Sequence, residues 1–305
     1  MTSQGITLTV VRGPITFQAG ADWRDPERVA NTVVDPVTAK VTQTDREPTM
    51  LRSLNRDFAI GIKEVSVAEF LLFDSKYHEK LNQFSSSTLQ HPANRIHWYL
   101  AAQYCNWLSQ QAGLDESQWC FIPGADGQYA EGMTLAENYL HRTGYRMPTE
   151  AEWEYACRAR TNTPRFFGHC RELLPQYAWF RDNSLERALI VPGTLKPNSM
   201  GLFDVFGNVI EWCIDPYEGR PMLQPGVVPD LERGLSTDAE AWRVLRGGHL
   251  YAEANELRAT DLWTFRPLVT DGHFGLRIAR TLKVYPPVPA EPETVSQQVS
   301  QQLIH

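Results

Sequence analysis

The stretch Gly201-Leu-Phe-Asp-Val-Phe-Gly-Asn-Val-Ile-Glu-Trp-Cys213 constrains this chain more than any other, because it joins a backbone constraint to an apolar run and a lone carboxylate. Gly207-Asn208 is a turn signal: both residue types tolerate the positive φ that tight turns demand. Leu202, Val205, Phe206, Val209, Ile210 and Trp212 surround it, so the turn belongs in an interior with little water to satisfy its carbonyls. Glu211 then needs a cation, an arginine or several amide donors, since an uncompensated carboxylate there is costly. A turn with a salt bridge and a hard cation such as Ca²⁺ that also gathers nearby carbonyls are the two alternatives.

The rest of the composition narrows the partners. With 305 residues, 42% of them hydrophobic and 11% aromatic, the chain can bury a large core. A net charge of -7 and the lack of any Lys/Arg-rich run argue against nucleic acid. No apolar run reaches membrane-spanning length, so no membrane association is expected. Met1-Thr-Ser-Gln-Gly5 has neither the basic nor the apolar region of a signal peptide, so a cytoplasmic protein is expected. Five cysteines, Cys105, Cys120, Cys157, Cys170 and Cys213, are odd in number and form no CxxC, the pattern of reduced thiols rather than a disulfide or zinc framework.

Along the chain, Ile6–Val11 and Ile15–Phe17 flank Gly13-Pro14 and read as a hairpin. Residues 21–50 are polar and proline-punctuated and read as one long surface loop. Ser66-Val-Ala-Glu69 and Thr149-Glu-Ala-Glu152 are capping boxes, the second following Pro148, and each opens a helix. A further helix after His91-Pro92 carries Trp98, Ala101, Cys105 and Leu108 on one stripe and stops at Gly113, with His97 as a cap rather than a metal ligand. Trp119–Pro123 and Ala130–Thr134 suggest another hairpin, and Trp242–Gly248 a strand that leads into a polar loop, His249 to Gly272. His273–Ala279 closes as a core strand, and the Pro/Gln-rich residues 283–305 read as a disordered tail or linker. Few helices among many short strands make an α+β domain.

Five ordered blocks carry a family resemblance: Phe58-Ala-Ile-Gly-Ile-Lys-Glu-Val-Ser66; His91-Pro92 with Trp98 to Leu108; Thr143-Gly-Tyr-Arg-Met-Pro-Thr-Glu-Ala-Glu-Trp-Glu-Tyr-Ala156; Gly201-Leu-Phe-Asp204 with Gly207 to Trp212; and Arg246-Gly-Gly248 with Phe274-Gly-Leu-Arg277. Over roughly residues 5–282 the chain resembles the formylglycine-generating-enzyme (sulfatase-modifying factor) family. The resemblance implies a single compact C-type-lectin-like domain with much irregular loop, and bound Ca²⁺. It would make Glu211 a carboxylate ligand, Phe206, Gly207 and Val209 carbonyl donors, and Asn183 and Ser184 part of a second calcium site.

Catalytic members of that family oxidise a sulfatase cysteine to formylglycine with O₂ and copper held by two thiolates, soft ligands suited to Cu(I). Here the matching positions are Ala252 and Leu257, and no cysteine follows Cys213, so copper is not expected. Copper-dependent formylglycine formation remains the alternative only if two other cysteines, such as Cys170 and Cys213, meet in space. The histidine triad and helical domain of the iron-dependent sulfoxide synthases are also missing. The reading is therefore a non-catalytic binding module. Its loop offers His249, Tyr251, Glu253, Asn255, Asp261, Trp263, Phe265 and Arg266 to a protein or small ligand. Because Glu253, Glu256, Arg258 and Asp261 interleave with the rings, the expectation is that this face points outward.

Overall fold

The computed structural model describes residues 5–21, 30–34, 41–45, 49–81, 86, 88–184, 188–218, 226–235 and 237–286. Gly13-Pro14, a cis peptide, does not close a hairpin. The flanking strands β1 (Leu8–Val11) and β2 (Ile15–Ala19) lie in different sheets. The residues read as one long loop contain a separate two-stranded pair, β3 (Ala30–Val34) and β4 (Val41–Asp45), where β-branched Thr and Val make up six of the ten residues. β5 (Met50–Leu54) then pairs with β2, and β6 (Arg56–Gly61) with β1.

Both capping boxes form. Ser66 and Glu69 cap the short α1 (Val67–Leu71), and His97 caps α2 (Trp98–Gln111) by accepting the Leu100 amide. β7 (Phe121–Ile122) pairs with β8 (Thr134–Leu135) as the spacing suggested, and β9 (Tyr145–Arg146) leads to α3 (Glu150–Arg158). Thr149 and Glu152 exchange hydrogen bonds at the head of α3, satisfying two amides that a helix start leaves without partners.

After the one-turn α4 (Arg181–Ser184) come β10 (Ile210–Pro216), β11 (Val227–Pro229), β12 (Arg243–Arg246), β13 (Leu262–Phe265), β14 (Phe274–Gly275) and β15 (Ala279–Val284). Three sheets follow, in the orders β1-β6-β15-β9, β13-β12-β10-β14 and β11-β5-β2. β10 and β14 are parallel, with Ile210 opposite Phe274, so the Gly207-Asn208 turn and the Phe274–Arg277 block lie side by side. The fold is the mixed helix-and-strand domain expected from the sequence.

Two apolar cores form on either side of the β10–β12 sheet. One gathers Trp98, Tyr104, Trp212 and Leu245 under α2; the other gathers Trp153, Phe206, Cys213 and Val244 under α3. Full burial of each such side chain contributes about 1.5–3 kcal/mol, which is why irregular loops can be held with so few helical turns. Among the described residues no helix is long and apolar enough to cross a membrane.

Candidate functional site

Gly207 and Asn208 both take positive φ, 78° and 55°. A Cβ on Gly207 would stand 2.0 Å from the Trp179 carbonyl oxygen, so only glycine fits. Beyond the turn, Glu211 is 1% exposed and meets an arginine. Arg277 Nε lies 3.0 Å from both carboxylate oxygens and its Nη2 2.7 Å from Oε1, while Trp153 Nε1 donates to Oε2 at 2.7 Å. The salt bridge that the sequence left open is formed.

Two further buried carboxylates face the same guanidinium. Glu64 accepts from Asn208 Nδ2 and the Val209 amide, and Asp204 Oδ2 accepts from the Gly193 amide. Burial, aided by Asp204 and Glu211, pushes Glu64 well above the usual carboxylate range; burial likewise pushes Asp204 up to about 6. Among the described residues Asp204 Oδ1 has no hydrogen-bond partner. Three carboxylates against one arginine is a charge pattern that fits a divalent cation. The coordinating oxygen it offers is that of Asp204, whereas both oxygens of Glu211 are already held. Among the described residues no trio of His, Cys, Asp or Glu side chains is arranged as a metal site, so main-chain oxygens such as those of Phe206, Gly207 and Val209 would have to complete one. Asn183 and Ser184 are occupied locally: Asn183 accepts the Phe180 amide and donates to the Ala178 carbonyl, and Ser184 donates to the Arg181 carbonyl.

The positions that would carry thiolates lie just past Gly247-Gly248. Ala252 and Leu257 are 1% and 0% exposed and belong to the second core. A Cβ on Gly248, at φ 70°, would fall 2.5 Å from Leu257 Cδ2 and 3.5 Å from Ala252 Cβ, so this corner is filled by hydrocarbon. All five cysteines are free. Cys170 is exposed and Cys213 buried, and neither is in a disulfide, so the pairing named as an example is not made. Burial pushes Cys105, Cys157 and Cys213 far above the ordinary thiol range and Cys120 up to about 12, leaving them protonated and inert.

The loop from His249 to Gly272 places its rings unevenly. His249 stacks on His273 at 5.1 Å and meets Trp263 at 5.7 Å, while Tyr251 stands edge-on to His273 at 4.9 Å. Tyr251 is 42% exposed and rims the cluster. Burial, then the neighbouring His273, lowers His249 to about 4, so its ring is neutral, and its Nδ1 accepts the Tyr251 amide. His273 hydrogen-bonds Asp271 through Nδ1 and was not anticipated; the Asp-x-His spacing at 271–273 was the available signal.

Other members of the anticipated face lie elsewhere. Glu253 pairs with Arg181 at 2.6 Å, Asn255 is exposed, and Arg266 pairs with Glu240 and lies over the Trp242 ring. Phe265 turns inward against Phe274 at 4.8 Å, and Trp263 is half-buried against the first core. Arg258 is buried, contrary to expectation, because Asn255's carbonyl and Asp261 receive its guanidinium. Asp261 in turn gives its carbonyl to Arg246.

The profile of the "Sulfatase-modifying factor enzyme 1-like domain" matches residues 20–282, most of the chain. The chain belongs to this family. It is 24% identical over 267 residues to the chaperone protein LppX of Paenibacillus barcinonensis, covering 80% of this chain and 85% of that protein. Against the formylglycine-generating enzyme of Streptomyces coelicolor it is 32% identical over 162 residues, covering 47% of this chain and 49% of the enzyme. The chain thus spans about half the length of that curated relative. The solved structure titled "Treponema denticola variable protein 1" superposes with a TM-score of 0.70 over 91% of this chain and 95% of its own, at 22% identity, a likeness of fold.

Proposed function

We propose that this formylglycine-generating-enzyme-like domain is a non-catalytic recognition module whose ligand meets the ring cluster of His249, Tyr251, Trp263 and His273. The observation that carries this reading is the hydrocarbon at Ala252 and Leu257: without two thiolates there is nothing to hold Cu(I) or to form a mixed disulfide with a substrate cysteine. The neighbouring rings keep the amphipathic character that anchors interfaces, large apolar area with few rotatable bonds. A similar protein over most of both chains is called a chaperone, a name compatible with this reading. Ca²⁺, if bound, would sit beside Asp204 and serve as a structural brace for the loop, with no part in chemistry.

Two measurements test the reading. Incubation with a cysteine-containing sulfatase peptide, Cu(I) and O₂ is expected to yield no aldehyde by mass spectrometry, and an aldehyde would overturn the inactive-site reading. Tyr251→Ala, at an exposed ring, is expected to leave the melting temperature unchanged and to abolish capture of a partner that the wild-type domain retains. Retained capture would remove the ring cluster from the binding surface.

A further inference from the structure

The C-terminal end of α3 and the strand β1 border a hollow that shares no residue with the sites above. Ala159 and Arg160 both take positive φ, 48° and 74°, so the chain turns back sharply where the helix stops. The following wall is pinned to that end: Asn198 Nδ2 donates to the Ala156 carbonyl at 2.8 Å, and Ser199 Oγ donates to the Ala159 carbonyl at 3.3 Å. Carbonyls that a helix end leaves over are thereby satisfied, and Ser199 is fixed next to Arg160. On the far side runs β1, whose sheet partner among the described residues is β6 alone.

The hollow measures about 400 Å³, and Thr9, Arg12, Tyr155, Arg160 and Ser199 supply its polar side chains. No carboxylate is among its lining residues, although the chain carries a net charge of -7. Arg160 is exposed, and its side chain has neither an ion-pair nor a hydrogen-bond partner among the described residues. Arg12 gives Nη1 to Asp57 at 2.9 Å, but Asp57 also accepts the Gly13 amide and the Tyr285 hydroxyl, so its charge is divided among three donors. The Arg12 side chain itself is 77% exposed. A guanidinium holds a fork of N–H donors and no acceptor, so two of them with three hydroxyls make a hollow rich in donors and positive charge.

The geometry points to this hollow as a binding site for a small phosphate monoester, its phosphate held by Arg12 and Arg160 and its hydroxylated remainder by Thr9, Tyr155 and Ser199. Charge selects phosphate over carboxylate. A phosphate monoester is close to a dianion at neutral pH and has three acceptor oxygens, enough for two guanidinium forks, whereas a carboxylate is filled by one. Size selects a small molecule: the volume falls within the roughly 300–1,000 Å³ of small-molecule pockets, and at roughly 30 Å³ for a water-sized group it takes a phosphate with a short polyol or a sugar. The ring of Tyr155, edge-on to Phe17 at 5.2 Å, gives the remainder a firm wall. Because the ring cluster of His249 and Trp263 contributes nothing to this hollow, the site stands or falls independently of the recognition reading.

The test is titration calorimetry of the full-length chain at low salt with glycerol phosphate, glycerol sulfate and a phosphoserine hexapeptide. Glycerol phosphate is expected to bind at least tenfold tighter than glycerol sulfate, which has the same shape and a single charge. Arg160→Gln, at an exposed side chain, is expected to weaken glycerol phosphate at least tenfold with the melting temperature unchanged, and Arg12→Gln to weaken it as well. Ser199→Glu, which sets a carboxylate in the wall, is expected to abolish binding. Lys76→Gln removes an exposed charge outside the hollow and is expected to leave the affinity as it was. The assignment is overturned if glycerol phosphate does not bind, if the sulfate binds equally well, or if Lys76→Gln weakens binding as much as Arg160→Gln, the mark of diffuse attraction. A phosphoserine hexapeptide that binds more tightly than glycerol phosphate would overturn the small-molecule source.

Discussion

Trp153 touches two clusters of buried charge that differ in how they are balanced. On one side, around α3, five arginines (Arg52, Arg56, Arg146, Arg158 and Arg246) face five carboxylates (Glu150, Glu152, Glu154, Asp215 and Asp230) in a chain of salt bridges and one helix-head contact. On the other, Arg277 faces Glu211, Glu64 and Asp204, with the charge of exposed Lys63 acting on Asp204 from nearby. Although burial works against it, Arg146 and Arg56 hold the Glu152 carboxyl down at about 2, whereas burial and crowding push Asp204 up to about 6. A balanced network fixes a fold and asks for nothing more. An unbalanced one stores unfavourable charge that protons or a cation can relieve.

The largest effects should come from removing the arginines. Arg277→Leu leaves three buried carboxylates without their cation and is expected to cost about 3–5 kcal/mol at pH 8 by urea denaturation. The loss should shrink at pH 5, because Glu64 and Asp204, both raised, can then take protons. Arg56→Leu should cost a similar amount but with little change between pH 5 and 8, because Glu152 stays ionised throughout. Equal pH dependence in the two variants would erase the distinction between the clusters.

Asp215 is where the balanced network is weakest. Burial, then Asp230 and Glu150, raise its carboxyl to about 7 from an ordinary 3.8. The folded protein therefore binds more protons than the unfolded chain between these values, and the associated stability is lost as pH rises from about 4 through 7. Asp215→Asn is expected to be more stable than wild type at pH 8 by on the order of 3 kcal/mol and to match it near pH 4. An unchanged or lowered midpoint at pH 8 would show that Arg52 already compensates the charge.

A cation at the unbalanced cluster is the next test. If Ca²⁺ is held beside Asp204, adding it to about a hundred times its Kd should raise stability by about 2.7 kcal/mol, and chelation should remove the gain. Asp204→Asn should abolish the response. Melting that ignores both Ca²⁺ and chelator, in protein shown by metal analysis to start with calcium, would leave Arg277 as the only cation the cluster needs.

Much of this contrast was legible in residues that act through local geometry. The capping boxes, the Gly207-Asn208 turn and the stop at Gly113 were readable because their hydrogen bonds and φ values are set within a few positions. The parting of β1 from β2 was not, because pairing partners 31 to 53 residues away decided it. The same limit hid the clusters. Glu211 could be seen to need a partner, but Arg277 and Glu64 reach its cluster from separate blocks. Phe265 and Trp263 alternate with polar residues as an exposed loop would, yet they lie on a strand whose inner face is core, so the polarity belonged to one side only.

The smallest effect separates a cap from a member of the network. Thr149 accepts the Glu152 amide at 3.1 Å, and its hydroxyl donates to Asp230 Oδ2 at 2.8 Å. An exposed Ser/Thr cap is worth about 1 kcal/mol, and a buried hydroxyl that also serves a carboxylate adds the cost of leaving that acceptor short. Thr149→Ala is therefore expected to cost about 2 kcal/mol, and Thr149→Ser, which keeps both hydrogen bonds, well under half of that. Ser66 heads the other capping box, and its hydroxyl reaches only Glu69. Ser66→Ala should accordingly lie near 1 kcal/mol. If the two alanine variants lose equal stability in the same denaturation series, the Asp230 bond contributes nothing. The balanced network then ends at its arginines, without reaching into the helix cap.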